Sequence, residues 1–253
     1  MSTSTQTRNI QLVQDAMDGI LVHHDEASVE RHFHPDFIQH NPWAKDGAAH
    51  VREMCQFQFG LKAQRWVSQG DLVAYHGLYT APNPLGDQPL LCTDLWRVQG
   101  ERIVEHWDAL QPLPQAVVDR MLAGAGDGTA AVEPDRVAAN VAAARRLLEL
   151  GIHGGDVELV RSLAADDFLD HGAQTDGGRE ALVSWIERRP RVEIRRTVAS
   201  GDLVMVHARI EEGGAARVSL MWLRYSKGQA VERWEVTQPI ASPEEVANAH
   251  PHF

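Results

Sequence analysis

The sequence predicts an α+β chain made of two tandem domains, each with helices first and a run of antiparallel strands after them. Repeated words, a break in composition, and an apolar period that changes from helical to strand-like in each half all point to it. Phe37-Ile38-Gln39-His40 returns as Phe168-Leu169-Asp170-His171, 131 positions later. Gly70-Asp71-Leu72-Val73 returns as Gly201-Asp202-Leu203-Val204 at the same offset, and His76 returns as His207. Further on the offset falls to 127, with Glu105, Trp107 and Gln111-Pro112 matching Glu232, Trp234 and Gln238-Pro239. The four lost residues fall in a Pro/Gly-rich loop, APNPLGDQP in the first copy and EEGGAA in the second. Exposed hairpin loops tolerate such length changes. Solenoid units run about 20–50 residues, so this period means duplication of a whole domain. Residues 121–136, MLAGAGDGTAAVEPDR, are rich in Gly and Ala and hold no sustained apolar period. The first domain is therefore expected at 1–120, a linker at 121–135 and the second domain at 136–253.

The elements follow in order. Ile10, Val13, Met17 and Ile20 lie at 3-4-3 spacing, one face of a helix, and Val137, Val141, Ala144 and Leu148 repeat the stripe. A short second helix is expected at 29–33 and 157–163, with Asp156 placed to cap the later one. A third is expected at 47–58 and 179–188. Strand-like runs cover 63–68, 71–80, 90–98 and 102–110 in the first copy. In the second they cover 191–198, 202–211, 217–225 and 229–237. Gly70-Asp71 and Gly201-Asp202 mark turns between strands.

Composition narrows the function classes. The 253 residues carry 35 acidic against 24 basic side chains, a formal charge of −11. Nucleic acid needs a positive patch and anionic lipid a polybasic segment, so neither is expected as partner. No apolar run approaches the roughly 20 residues of a membrane helix. The N-terminal MSTSTQTRNIQ lacks the apolar core of a secretory signal. Cys55 and Cys92 are too few for a disulfide framework and lack metal-ligand spacing, so core packing and a cytoplasmic location are expected.

The last strand of the first copy carries chemistry. In residues 104–110, alternation puts His106 and Asp108 on one face and Glu105 and Trp107 on the other. Val104 and Leu110 flank the polar pair, so desolvation should raise the Asp108 pKa toward acid/base usefulness while His106 pulls it back. Glu105 reads as a solvent-facing or surface-paired residue. His40 with His171, and His76 with His207, recur in both copies; each reads either as pocket lining or as a hydrogen-bonded core residue. Trp43, Trp96 and Tyr79 read as pocket aromatics or as ordinary core, Trp66 as core. Trp107 and Trp234 read as packing residues. The first copy is rich in histidine, but His32 and His34 are not four apart and no His-Glu-x-x-His word exists, so no metal site is expected.

The words Asp36-Phe37-Ile38-Gln39-His40-Asn41-Pro42, Gly70 through His76, Asp94-Leu95-Trp96-Arg97-Val98, and Ile103 through Asp108 with Gln111-Pro112 resemble the SnoaL-like branch of the nuclear-transport-factor-two-like superfamily. The resemblance implies two tandem cone-shaped domains, each a curved antiparallel sheet packed on three N-terminal helices around one deep pocket. It further implies polyketide-cyclase-like chemistry without a cofactor, with Asp108 as the acid/base and Asp94 as a second polar pocket residue; the recurrent His40 and His76 and the aromatics Trp43, Trp96 and Tyr79 are the candidates to face the substrate. Sheets in this superfamily often pair, so an intramolecular pseudo-dimer is implied, with room for further self-association.

The second copy has drifted. Asp94 maps to Met221, His106 to Arg233, Asp108 to Glu235, and Asn41-Pro42 to Gly172-Ala173. A second-domain pocket would use His171, His207, Glu235 and Arg233, but Arg233 would hold Glu235 ionised. The intact site is thus expected in the first domain, acting on a small, largely apolar carbonyl compound by cyclisation or isomerisation. The alternatives are a dehydratase or epoxide hydrolase in the same pocket, or a module that binds a small ligand or a protein without catalysis.

Overall fold

The computed structural model describes residues 3–124, 133–172 and 177–253. It divides into two compact units, Met1–Val118 with Ile240–Phe253, and Asp119–Pro239. In the first unit α1 (Thr3–Leu21) and α2 (Glu26–His32) precede β1 (Phe33–Gln39). Then come α3 (Ala48–Val51), which runs on as a 3-10 turn at Arg52–Gln56, and four strands: β2 (Leu61–Gln69), β3 (Leu72–Tyr79), β4 (Leu90–Gln99) and β5 (Arg102–Pro112). A further helix, α4 (Gln115–Leu122), follows.

The second unit repeats the plan. Here α5 (Pro134–Arg145) runs into a π-helical stretch, Arg146–Ile152, before α6 (Val157–Leu163), β6 (Ala164–Asp170) and α7 (Arg179–Glu187). Four strands close it: β7 (Arg191–Ser200), β8 (Leu203–Glu212), β9 (Ala215–Ser226) and β10 (Gln229–Pro239). The sheet orders are β1-β5-β4-β3-β2 and β6-β10-β9-β8-β7, the same order twice.

The local causes are those the sequence carries. Val13, Met17 and Ile20 of α1 are buried, as are Ala144 and Leu148 at the matching stripe. Asp156 accepts the Leu159 N–H at 2.9 Å and caps α6, and Asp25 does the same for α2 through Ala27. Gly70 (φ 67°) and Gly201 (φ 59°) turn the first hairpin of each sheet in the left-handed region that glycine enters without a Cβ penalty. Alternation sends Val73, Tyr75 and Tyr79 of β3, and Cys92, Trp96 and Val98 of β4, into one core with Val13, Ala16 and Ile20. Cys55 and Cys92 are both buried free thiols, as their apolar surroundings suggest.

Four features differ from the sequence reading. Each sheet is mixed rather than antiparallel, because β1 and β6 add to the edge parallel to β5 and β10. Their residues, FHPDFIQ and AADDFLD, lack alternation, and Pro35 suits only an edge strand. The third helix of the first unit is one short α-turn continued as 3-10. The expected linker at 121–135 begins inside α4 and ends inside α5, and its residues 125–132 lie outside the described residues. Segment 240–253 packs with the first unit, where its backbone hydrogen-bonds the loop after β1, rather than with the second domain. No helix among the described residues is long and apolar enough to cross a membrane.

Candidate active site

Strand register assembles the site. In the β4–β5 ladder Asp94 lies opposite Asp108 and Trp96 opposite His106. In the β1–β5 ladder Gln39 lies opposite His106. Directly opposed side chains on one face come within about 5 Å of each other, so three strands deliver two carboxyls, an imidazole and an amide to one point. All four are buried.

The hydrogen bonds fix which atom carries which proton. The Asn41 N–H donates to Gln39 Oε1 at 2.9 Å, so the atom facing it is the amide oxygen. That oxygen lies 2.9 Å from His106 Nδ1, which must therefore carry a proton and donate. His106 Nε2 meets Asp94 Oδ1 at 3.0 Å, a contact that holds one proton, on the imidazole or on the carboxyl. Tyr79 OH donates to the same Asp94 oxygen at 3.1 Å, and Tyr75 OH donates to Tyr79 at 2.6 Å. Burial first, and then Asp94, push both phenols well above their ordinary pKa, so they stay protonated. The ring of His106 stacks on Trp96 at 3.8 Å.

Asp108 is held differently. Asn41 Nδ2 donates to its Oδ2 at 2.8 Å, while buried Oδ1 has no protein partner among the described residues. Burial raises its pKa, His106 and Asn41 pull it down and Asp94 raises it again; the result is about 6, against an ordinary 3.8. A carboxyl poised there exchanges protons at neutral pH.

Asp94, His106 and Asp108 form the floor of a cavity of about 240 Å³. At roughly 30 Å³ per water this is space for a small organic molecule rather than a few waters. Its walls are apolar: Met17, Ile20, Leu21, Phe33, Phe37 and Phe59. Trp43 and Leu85 line it while remaining 47% and 46% exposed, which places them at its rim. Pro84 and Leu85 come from the longer β3–β4 hairpin, so the residues missing from the second copy build cavity wall in the first. The donor atoms of Asp94, His106 and Asp108 all lie within 4.8 Å of one another, close enough to grip a cation. Nδ1 of His106 is engaged with Gln39 outside the cluster, and Nε2 faces Asp94 within it.

Six of the eight residues singled out in the first copy line this cavity: Asp94, His106, Asp108, Trp43, Trp96 and Tyr79. His40 and His76 do not. His40 stacks on Trp107 at 4.7 Å and bonds Glu105 at 2.9 Å, on the opposite face of β5. Burial would raise Glu105, but bonds from His40 and Arg97 outweigh it and hold the carboxyl below its ordinary pKa. Glu105 is thus a paired structural residue rather than a solvent-facing one. His76 is buried beside Arg65, 2.9 Å away, and alternation from Tyr75 turns it away from the cavity. Gln39 and Asn41 join the site without having been singled out as site residues. No alternation points to them, because Pro35 and a polar middle conceal the strand that ends at Gln39.

In the second unit the expected group divides. Arg233 and Glu235 meet at 3.1 Å, and Asp170 lies 3.2 Å from the same guanidinium. Trp185 covers that guanidinium at 5.1 Å. Ser219 donates to Glu235 at 2.6 Å. His171 stacks on Trp234 at 5.0 Å on the other face of β10, and His207 shares that other face. Ala173, the counterpart of Pro42, lies outside the described residues.

In the first unit an α+β sheet wrapped on helices thus encloses an apolar cavity over an acid–imidazole–acid floor. Residues 13–106 match the family described as the SnoaL-like domain, less than half of the chain and wholly within the first unit. The first unit thus carries a SnoaL-like domain. Among solved structures the chain is similar to IdmH from Streptomyces antibioticus at 20% identity, covering 39% of this chain and 91% of that one, with a TM-score of 0.34. It is also similar to an LEH-like epoxide hydrolase of M. tuberculosis (15% identity, 41% and 85% covered, TM-score 0.37). An NTF2-like protein from Cytophaga hutchinsonii gives 11% identity, 40% and 90% covered, and a TM-score of 0.37. No curated protein matches the chain.

Proposed function

We propose that the first unit is an acid/base enzyme domain acting on a small, largely apolar carbonyl compound, with Asp108 as the group that moves the proton. The observation that carries this reading is the Asp108 carboxyl: buried on a cavity floor, with Oδ1 unpartnered, and a pKa of about 6. Ionised Asp108 takes a proton from the carbon next to the carbonyl, and the C–H electron pair moves into the new C=C bond. The carbonyl oxygen gains the charge and is met by the Tyr79 hydroxyl, which lines the cavity and turns its proton from Asp94 to the substrate. Returning the proton to another carbon isomerises the substrate; attack of the enolate carbon on a second carbonyl closes a ring, and the alkoxide that forms takes the proton back from Asp108. The protein supplies every group these steps use.

One observation favours a second reading within the same pocket. Asp94 and Asp108 are directly opposed carboxyls, the pattern by which one acid protonates an epoxide oxygen while the other activates water. The second unit reads as a partner domain or a site for another ligand, because Arg233, paired with both Asp170 and Glu235, stands where the first unit has His106.

Ligand-induced thermal stabilisation tests this reading with a panel of small ketones, lactones and epoxides, on wild type, Asp108→Asn and Glu235→Gln. A ligand at a hundred times its Kd stabilises by about 2.7 kcal/mol. The expected result is a hit class whose shift changes with Asp108→Asn and is indifferent to Glu235→Gln. No hit from any class would move the assignment to a protein-binding module.

A further inference from the structure

We propose that segment 240–253 is a positioning strap for the first unit's site, acting through Asn248 on the loop 40–44 that holds Asp108. The inference rests on the reading of Asp108 as the proton-moving group.

Four of the five carbonyls in that loop are satisfied by the segment. Asn248 Nδ2 donates to Asn41 O at 2.6 Å and to Ala44 O at 2.8 Å. The Ala247 N–H donates to Pro42 O at 2.7 Å, and the His252 N–H to His40 O at 2.7 Å. The loop spends its own donors on the site. Asn41 N–H fixes the Gln39 amide that sets the His106 proton, Asn41 Nδ2 holds Asp108, and Trp43 N–H locks the Asn41 side chain at 2.9 Å.

The segment is shaped for this task before it meets the loop. A capping box links Ser242 and Glu245, the His250 N–H donates to Asn248 Oδ1 at 2.9 Å, and the Ala241 N–H donates to His252 Nε2 at 2.9 Å. Asn248 is therefore oriented by its oxygen and works through its nitrogen. Asn41 is the relay: its carbonyl answers to the strap and its side chain to the acid.

Asn248 carries no charge, which makes the test clean. Asp108 is faced by His106 on its own strand, Asp94 and Cys92 on β4, Tyr79 on β3, and Asn41 on the loop. The segment contributes none of these groups. A change in the Asp108 titration on substitution at 248 must then travel through Asn41.

The experiment uses the full chain without ligand. The Asp108 carboxyl titration is read by carbon-13 NMR, assigned with Asp108→Asn, alongside amide hydrogen exchange over residues 41–44. Asn248→Ala should speed exchange at the Asn41 and Trp43 amides. It should also raise the Asp108 midpoint by roughly half a unit to one unit, the worth of a weakened hydrogen bond to the ionised form. His250→Ala, which removes a titratable ring from the segment but keeps the Asn248 contacts, should change neither. Unchanged exchange in Asn248→Ala, or faster exchange with an unmoved Asp108 midpoint, would overturn the strap. A wild-type midpoint in the ordinary carboxyl range would instead sink the acid/base reading, while the difference between wild type and variant would still decide the strap.

Discussion

Asp108→Asn should still bind ligand, with an altered thermal shift, and lower turnover by about 10²–10⁴, the usual contribution of a positioned acid/base. Asparagine keeps the shape and can still accept the Asn41 Nδ2 bond, so the cavity and its apolar walls stay in place. What disappears is a basic oxygen at Oδ1. The same carboxyl sets the pH dependence. If ionised Asp108 is the base, kcat/KM should rise with pH through about 6 and level off above it, because protonation removes the base. Asp108→Asn should lose that limb along with the rate. Near-normal turnover in the variant would mean that another group moves the proton.

The same substitution should stabilise the fold at neutral pH. A carboxyl that titrates at about 6 in the native state and about 3.8 in the unfolded one binds its proton more tightly when folded. Below both values there is no penalty. As pH rises from about 4 to 6 the unfolded state ionises first, and native stability falls. Above 6 the full cost remains, on the order of 2–3 kcal/mol for about two pKa units of a fully buried group. The amide introduced by Asp108→Asn cannot ionise, so the variant's advantage should be absent near pH 4, grow between 4 and 6, and plateau above. Denaturant unfolding of both proteins at several pH values measures it. A constant difference across that range would show that Asp108 is not the strained group.

A catalytic carboxyl that costs stability is a common arrangement at functional sites. Here the cost has a visible origin. Burial and Asp94 oppose the charge on Asp108, and His106, already shared with Gln39 and Asp94, answers it only in part.

Much of this was readable from the residues, for reasons that differ by element. The duplication was legible because Gly70-Asp71 and Gly201-Asp202 must both turn a hairpin, and only a left-handed residue does so cheaply. The His106–Asp108 pair was legible because strand alternation fixes which neighbours share a face. What β1 contributes was not. Pro35 and a polar middle hide the strand, and with it went the side-by-side placement of Gln39 and His106.

The histidines show why repetition misled. His40 and His171 recur because each stacks on a repeated tryptophan, Trp107 or Trp234, beside a repeated glutamate, Glu105 or Glu232. In both, an arginine braces the glutamate: Arg97 at 2.7 Å and Arg224 at 2.8 Å. Burial works against the Glu232 charge, but His171, 3.9 Å away, and the Arg224 bond prevail and hold its pKa at about 2. What the two copies share is scaffold. The cavity floor is where they diverge, with Asp94, His106 and Asp108 against Met221, Arg233 and Glu235.

The most direct measurement is the exchange of α-protons for deuterium in small apolar ketones incubated with the protein in heavy water, followed by proton NMR. It needs no knowledge of the final product, because enolate formation alone washes the proton out. Wild type should catalyse exchange of at least one ketone that also stabilises the protein thermally. Glu235→Gln should match it, and Asp108→Asn should fall to the uncatalysed rate. Exchange that persists unchanged in Asp108→Asn, or bound ketones whose α-protons never exchange, would contradict Asp108 as the proton-moving group.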